Sequence, residues 1–472
     1  MQACRLESDS LGEMPIDNAC YYGIQTRRAL NNFPITDIPL SIDPEMVRAL
    51  ALVKKACAMT NRDLDCLAPH KAEAIIAACD EILAGHLLEQ FVVDVIQGGA
   101  GTSANMNANE VIANRALEIL GYEKGEYQYL HPNNDVNCSQ STNDVYPTAL
   151  RLGLFIKSRD LVATMAQLRD AFAAKGDEFR SVIKMGRTQL QDAVPMTLGM
   201  EFQAFATAIG EDIEQLEHSA ALLLLVNLGA TAIGTGINTP PGYTASVIAN
   251  LRELTGYPVR LAENLIEATW DTGDFVQLSG SLKRYATKIS KICNDLRLLS
   301  SGPYCGFGEI NLPKMQPGSS IMPGKVNPVI PEVINQIAYD VIGKDVTVAM
   351  ASEAGQLQLN AFEPVIANCL FLSLGMLNRG SRILRERCVE GITANADKCG
   401  EFVNNSVGIV TALNPILGYE AAAKLAQEAV HLKRPVVELI LERQLLSPQK
   451  LEQLLIAAGA ALPGTPLDKA EN

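Results

Sequence analysis

The chain has 472 residues, of which 48% are hydrophobic and only one is Trp. That is too long for one small core and ordinary for a soluble, helix-rich protein of about two or three domains. The formal net charge is −14 with no basic run, which argues against nucleic acid and anionic membranes as partners.

The eleven cysteines include no C-x-x-C pair, and the five histidines are scattered without an H-E-x-x-H motif. Reduced thiols in a cytoplasm are expected, and a zinc site is not. The N-terminus lacks the apolar core of a signal peptide, and the longest apolar run, Ala220 to Val226, is too short to cross a bilayer.

Residues 1–45 mix Pro, Gly, Asn and Asp and read as mostly loops. Helical periodicity starts at Met46 and recurs through Leu88, giving a first domain over 1–140. The middle segment, 141–396, carries the seams of long helices. Leu161, Met165, Leu168 and Phe172 form one stripe; Phe202, Phe205, Ile209, Ile213, Leu216 and Ala220 form another. Leu278, Leu282, Tyr285, Ile289, Ile292, Leu296 and Leu299 form a third, and Ile334, Ile337, Val341 and Val348 a fourth. Alternating spacings of three and four residues predict a bundle, and packing alone explains them. Breaks are expected at Gly186-Arg187-Thr188, Gly229 to Gly236 and Pro240-Pro241-Gly242. Residues 397–472 read as a small helical domain, broken at Asn414-Pro415 and Gly418, with a frayed tail from Pro463.

Four segments gather hydroxyls and amides with glycine. They are Gly98 to Glu110, Ser139 to Asp144, Gly186 to Asp192, and the loop Gly318-Ser319-Ser320-Ile321-Met322-Pro323-Gly324-Lys325-Val326-Asn327-Pro328. The loop is not a phosphate loop, which has one residue fewer between its glycines and Ser or Thr after its lysine. Taken singly, the other three segments read equally well as helix caps. Together they supply many neutral donors and few acids, with Lys325 as a fixed cation, a composition suited to carboxylates.

Residues 318–328 resemble, nearly residue for residue, the Gly-Ser-Ser-x-Met-Pro-x-Lys-x-Asn signature of the aspartase/fumarase superfamily. The likeness also takes in Tyr21-Tyr22-Gly23, Thr26-Arg27-Arg28, Asn32-Phe33 and all three polar clusters. Gly98-Gly99-Ala100-Gly101-Thr102-Ser103, Lys184 to Pro195 and Asn227 to Gly236 are similar to the aspartase branch. His131-Pro132-Asn133-Asn134-Asp135-Val136-Asn137 is similar instead to a fumarase segment that lines a secondary dicarboxylate site there.

The resemblance implies a mainly α, three-domain aspartase/fumarase-type fold whose central bundle of long helices assembles into a homotetrameric core, with sites shared between subunits. It implies a carbon–nitrogen lyase that deaminates L-aspartate reversibly to fumarate and ammonia. Class II fumarase is the alternative, and a non-catalytic superfamily member a more distant one. By the same resemblance Ser319 is the base that takes the Cβ proton, with Ser320 as the neighbouring choice. Thr102, Ser141, Thr142 and Thr188 would donate to the aci-carboxylate, Lys325 and Asn327 would hold the other carboxylate, and Asn143 with Gln189 would face the ammonium. No organic cofactor is implied; magnesium activates some relatives, and no site for it is assigned.

Overall fold

The structure is a computed structural model that describes residues 4–451, 453 and 454. The tail from Pro463 lies outside the described residues. In chain order the elements begin with β1 (Cys4–Asp9), β2 (Gly12–Asp17), α1 (Ile24–Asn32), α2 (Pro44–Asp63), α3 (Pro69–Leu83) and α4 (Thr102–Ile119). There follow α5 (Thr142–Glu178), β3 (Ile183–Thr188), β4 (Gln191–Thr197), α6 (Leu198–Leu222), β5 (Leu225–Val226), α7 (Tyr243–Thr255), β6 (Arg260–Leu261) and α8 (Glu267–Trp270). The remainder are α9 (Gly273–Leu299), β7 (Ile310–Asn311), α10 (Val329–Glu353), α11 (Glu363–Arg387), β8 (Thr393–Ala394), α12 (Ala396–Asn405), α13 (Val410–Leu417), α14 (Tyr419–Leu432) and α15 (Val436–Glu442). The fold is mainly α; among the described residues the strands pair as β1–β2, β3–β4, β5–β6 and β7–β8.

The chain divides into two compact units. The first runs to Ala163 and takes in Glu214–Ala286 and Tyr339–Asn378; the second holds Thr164–Ile213, Thr287–Ala338 and the described residues from Arg379 on. The boundaries all fall inside long helices, α5, α6, α9, α10 and α11.

Periodic apolar spacing builds these helices. On α9 the seven seam residues Leu278 to Leu299 are at most 5% exposed, so the whole stripe is core. In the second unit, Phe172 of α5 meets Phe205 of α6 edge-on at 5.7 Å and Phe179 meets Phe202 at 5.3 Å, geometries that aromatic rings prefer. The helices α12 to α15 close a separate core around Val403, Ile409, Leu413, Val436 and Ile440, to which β3 contributes Met185.

In the first unit α2 packs on α3 and α7, and α4 on α1 and α3. One stretch differs from the sequence expectation. Residues 4–32 form a hairpin and a helix rather than loops. The reason is remote: the Glu110 carboxylate on α4 accepts from the N–H groups of Gly23 at 2.8 Å, Gln25 at 2.8 Å and Thr26 at 3.1 Å, and Glu7 accepts from Ile24 at 2.8 Å. The start of α1 is thus capped by side chains distant in sequence. The break expected at Gly186-Arg187-Thr188 does part the long helices α5 and α6; it takes the form of the β3–β4 hairpin, which reverses at Gln189 and Leu190 with φ of 53° and 63°. A two-residue hairpin turn demands such angles whether or not glycine is there to ease them.

Candidate active site

In the first unit, two helix starts carry the polar side chains. Thr102 opens α4 after Gly101, whose φ is 87° and whose missing Cβ leaves room for the Tyr146 ring; a Cβ there would lie 2.4 Å from that ring. The Thr102 hydroxyl donates to the Gly99 carbonyl at 2.7 Å. Thr102 also lines a cavity of about 500 Å³ together with Arg28, Glu110, Tyr127, His131 and Asn133.

Ser141, Thr142 and Asn143 lead into α5. Ser141 Oγ accepts the Asn143 N–H at 3.3 Å, and Thr142 Oγ1 accepts from Asn105 Nδ2 at 3.2 Å, joining the start of α5 to the start of α4. Pro147 sits four residues beyond Asn143 and has no N–H to offer its carbonyl. The Asn227 side chain takes that carbonyl instead, at 3.0 Å, while Asn143 Nδ2 donates to the Ala232 carbonyl at 2.7 Å. Asp144 locks the two loops together. Its buried carboxylate accepts from Ser141 N at 2.9 Å, Gly229 N at 2.9 Å and Thr231 N at 3.1 Å. Burial pushes its pKa up to about 6, and the three N–H groups pull against that rise.

His131 has a local job in the same unit: its Nδ1 accepts from the N–H groups of Asn133 at 3.0 Å and Asn134 at 3.3 Å. Burial holds the imidazole below its ordinary pKa, with Asp135 opposing. Asp135 in turn pairs with Lys71 at 2.9 Å.

In the second unit, Thr188 and Gln189 stand exposed at the end of the β3–β4 hairpin. The hairpin is anchored just behind them. Arg187 meets the fully buried Glu309 at 2.6 Å and stacks over Phe307 at 4.2 Å, and Lys184 pairs with Glu309 at 2.7 Å and with Glu201 at 2.6 Å. Across the turn, the Ser406 hydroxyl donates to Asp192 at 2.7 Å.

The loop 318–328 precedes α10 and is closed at its neck. Gly318 N–H donates to the Lys325 carbonyl at 2.7 Å, and Asn327 Nδ2 donates to the Gly318 carbonyl at 2.7 Å. A Cβ on Gly318 would stand 2.5 Å from the Lys325 oxygen, so this close approach needs glycine. Within the loop, Ser319 Oγ accepts two backbone N–H groups, Ile321 at 3.1 Å and Met322 at 2.9 Å. Ser320 and Lys325 are exposed.

Thr102, Ser141, Thr142 and Asn143 therefore belong to the first unit, and Thr188, Gln189, Ser319, Lys325 and Asn327 to the second. Asp144, Asn105, Asn227 and Glu309 escaped the sequence reading. Asp144, Asn105 and Asn227 lie inside segments already singled out, so adjacency was a usable signal; for Glu309 only the fold reveals the contact.

Comparison with known proteins places the chain. The family described as Lyase matches residues 12–343, and the fumarase C C-terminus matches residues 409–458. The aspartate ammonia-lyase of Pseudomonas aeruginosa is 57% identical over 460 residues, covering 97% of each chain. A Brucella melitensis structure described as fumarate lyase:delta crystallin bound to cobalt is 55% identical with a TM-score of 0.95, covering 98% of this chain and 100% of its own. The class II fumarase of Schistosoma mansoni has a TM-score of 0.91 at 34% identity, covering 97% of this chain and 99% of its own. Over nearly its whole length, this chain belongs to the lyase family that aspartate ammonia-lyases share with class II fumarases, the aspartase/fumarase superfamily.

Proposed function

We propose that the chain is an aspartate ammonia-lyase, converting L-aspartate reversibly to fumarate and ammonia. The observation that carries the reading is Ser319 Oγ at the focus of two backbone N–H groups, in a chain 57% identical to an aspartate ammonia-lyase. A serine hydroxyl is a poor base unless its oxyanion is stabilised, and converging N–H groups do that. No such pair converges on Ser320 among the described residues, which supports Ser319 over its neighbour.

The Cβ proton of aspartate is weakly acidic. Its removal leaves a carbanion that survives by spreading charge onto the neighbouring carboxylate, as an aci-carboxylate with two negative charges. Donors aimed at those oxygens are the main catalytic need, each worth about 3 kcal/mol in a water-excluded site. Ser141, Thr142 and Thr188 are assigned that role, and Thr102 joins them when its hydroxyl hydrogen turns from the Gly99 carbonyl to the substrate. Lys325 and Asn327 hold the other carboxylate; one Asn327 amide hydrogen is committed to Gly318 and the second is left for the ligand. Asn143, whose amide nitrogen is engaged by Ala232, offers its carbonyl oxygen to the departing ammonium alongside Gln189. Closure of the 318–328 loop excludes water and completes the base.

Assembly as a homotetramer, with sites built from more than one subunit, is part of this reading. Tyr339, Val346 and Met350 lie along one face of α10 at 61%, 57% and 68% exposure, an apolar stripe suited to a neighbouring helix. A cytoplasmic location is also part of it; no described helix is long and apolar enough to cross a membrane. The elimination needs no organic cofactor. Magnesium stays in the reading as an activator without a site, since no group of three or more His, Cys, Asp or Glu among the described residues is placed to hold a metal ion.

Class II fumarase is the second reading, favoured by the His131 segment, where two backbone N–H groups converge on Nδ1. Giving the purified protein L-aspartate and L-malate in parallel separates the two. Fumarate from aspartate alone is expected; fumarate from malate alone would replace the first reading with the second.

A further inference from the structure

Behind the Ser141–Asn143 segment lies a group of buried polar side chains that no step above uses. Lys54 on α2 is 0% exposed, an unusual place for a lysine that makes no ion pair with another described residue. Its Nζ donates to Asn137 Oδ1 at 2.9 Å and to Gln140 Oε1 at 2.8 Å. Asn137 Oδ1 also accepts from Asn105 Nδ2 at 3.2 Å and Asn109 Nδ2 at 3.1 Å. The same Asn105 Nδ2 donates onward to Thr142 Oγ1 at 3.2 Å.

The direction of these bonds is not free. An ammonium only donates, so Asn137 must turn its carbonyl oxygen toward Lys54. Asn105 and Asn109 must then turn their NH₂ groups toward that oxygen, leaving Asn105 Oδ1 and Asn109 Oδ1 buried without partners. Lys54, Asn105 and Asn109 thus converge as donors on Asn137 Oδ1, and Asn105 Nδ2 also donates away from it, to Thr142. A hydroxyl has one hydrogen, and with its oxygen already accepting from Asn105 that hydrogen is left to donate elsewhere.

We propose that Lys54, acting through Asn137 and Asn105, is a positioning residue that fixes Thr142 as a hydrogen-bond donor to the substrate carboxylate. The inference rests on the deamination reading of the same site. Lys54 touches no substrate in this scheme; it sets the sense of a chain of hydrogen bonds whose far end does. Inverting any link turns the Thr142 hydrogen inward and leaves the substrate facing a lone pair.

The test is a double-mutant cycle in the full-length protein, with kcat/KM for L-aspartate as the readout. Asn105→Asp converts the donor to an acceptor and invites the Thr142 hydrogen inward, whereas Thr142→Val removes the hydroxyl. Asn105→Asp is expected to lower kcat/KM by about 10²-fold in the parental protein and by less than about threefold in the Thr142→Val background. Equal losses in both backgrounds would show a merely structural role and overturn the proposal, as would no loss in the parental protein. Lys54→Met is expected to show the same dependence on Thr142; should it fail to fold, Lys54→Gln, which can accept as well as donate, takes its place in the cycle. If the parental protein releases no fumarate from aspartate, the deamination reading falls and takes this inference with it. Activity with an additive cycle refutes the relay only.

Discussion

Between Ser141 and Asp144 every polar side chain is engaged in a hydrogen bond, whereas between Ser319 and Lys325 only Ser319 is among the described residues, and Ile321 at the tip stands 83% exposed. The first segment is tied to α4 through Asn105 and to the 227–232 loop through Asp144, Asn143 and Asn227. The second is bonded at its neck, from Gly318 to Lys325 and Asn327. The difference follows the work assigned to each. Donors that meet developing charge are effective only if they need not reorganise. A base that must exclude water belongs on a segment that can move over the substrate.

Substitutions on the two segments should therefore differ in kind. On the loop, Ser319→Ala is expected to lower kcat by at least about 10³-fold while leaving the melting temperature unchanged, because the site is held by few contacts. Single-turnover fumarate release and a thermal melt check both halves of that statement; retained turnover would remove Ser319 as the base. On the tied segment, Thr142→Val is expected to lower kcat/KM for aspartate by about 10²-fold through loss of one donor. Equal kinetics in that variant would take Thr142 out of the site.

Asp144→Asn should act on stability first. It sets an amide where three backbone N–H groups converge on a carboxylate, at a cost of about 3 kcal/mol in urea unfolding. A shift no larger than that of a surface change would mean the two loops are not joined through this residue.

The smallest effect concerns a carboxyl in the same unit. Burial pushes Glu363 up to about 8, with Arg151 opposing. A carboxyl raised in the folded state binds its proton more tightly there than when unfolded. Stability from this group is therefore present below the ordinary carboxyl range, lost as pH climbs toward about 8, and level beyond. Glu363→Gln should flatten that decline and raise the melting temperature at pH about 8 by about 3 °C. A decline of unchanged slope would show that Glu363 is not its source.

The sequence carried the helical part of this molecule well, for a physical reason. The α9 seam from Leu278 to Leu299 repeats every three or four residues because each member is buried on one face, and a periodic cause leaves a periodic trace. The 318–328 loop was legible because its glycines and prolines exclude ordinary structure and its order of residues is so irregular. What stayed hidden depends on contacts between distant positions. The start of α1 is capped by Glu110, 84 residues beyond Thr26. Lys54, in the run Val53-Lys54-Lys55-Ala56, reads as a surface lysine until Asn137, 83 residues on, supplies an acceptor. The reversal at Gln189 and Leu190 adopts left-handed backbone angles without a glycine to announce them.

The central claim is that this chain takes a proton and ammonia from aspartate. Its most direct test is the ultraviolet absorbance of fumarate, followed with purified protein given L-aspartate and, separately, L-malate. The account predicts fumarate and equimolar ammonia from aspartate and none from malate. Fumarate from malate with silence on aspartate would contradict it.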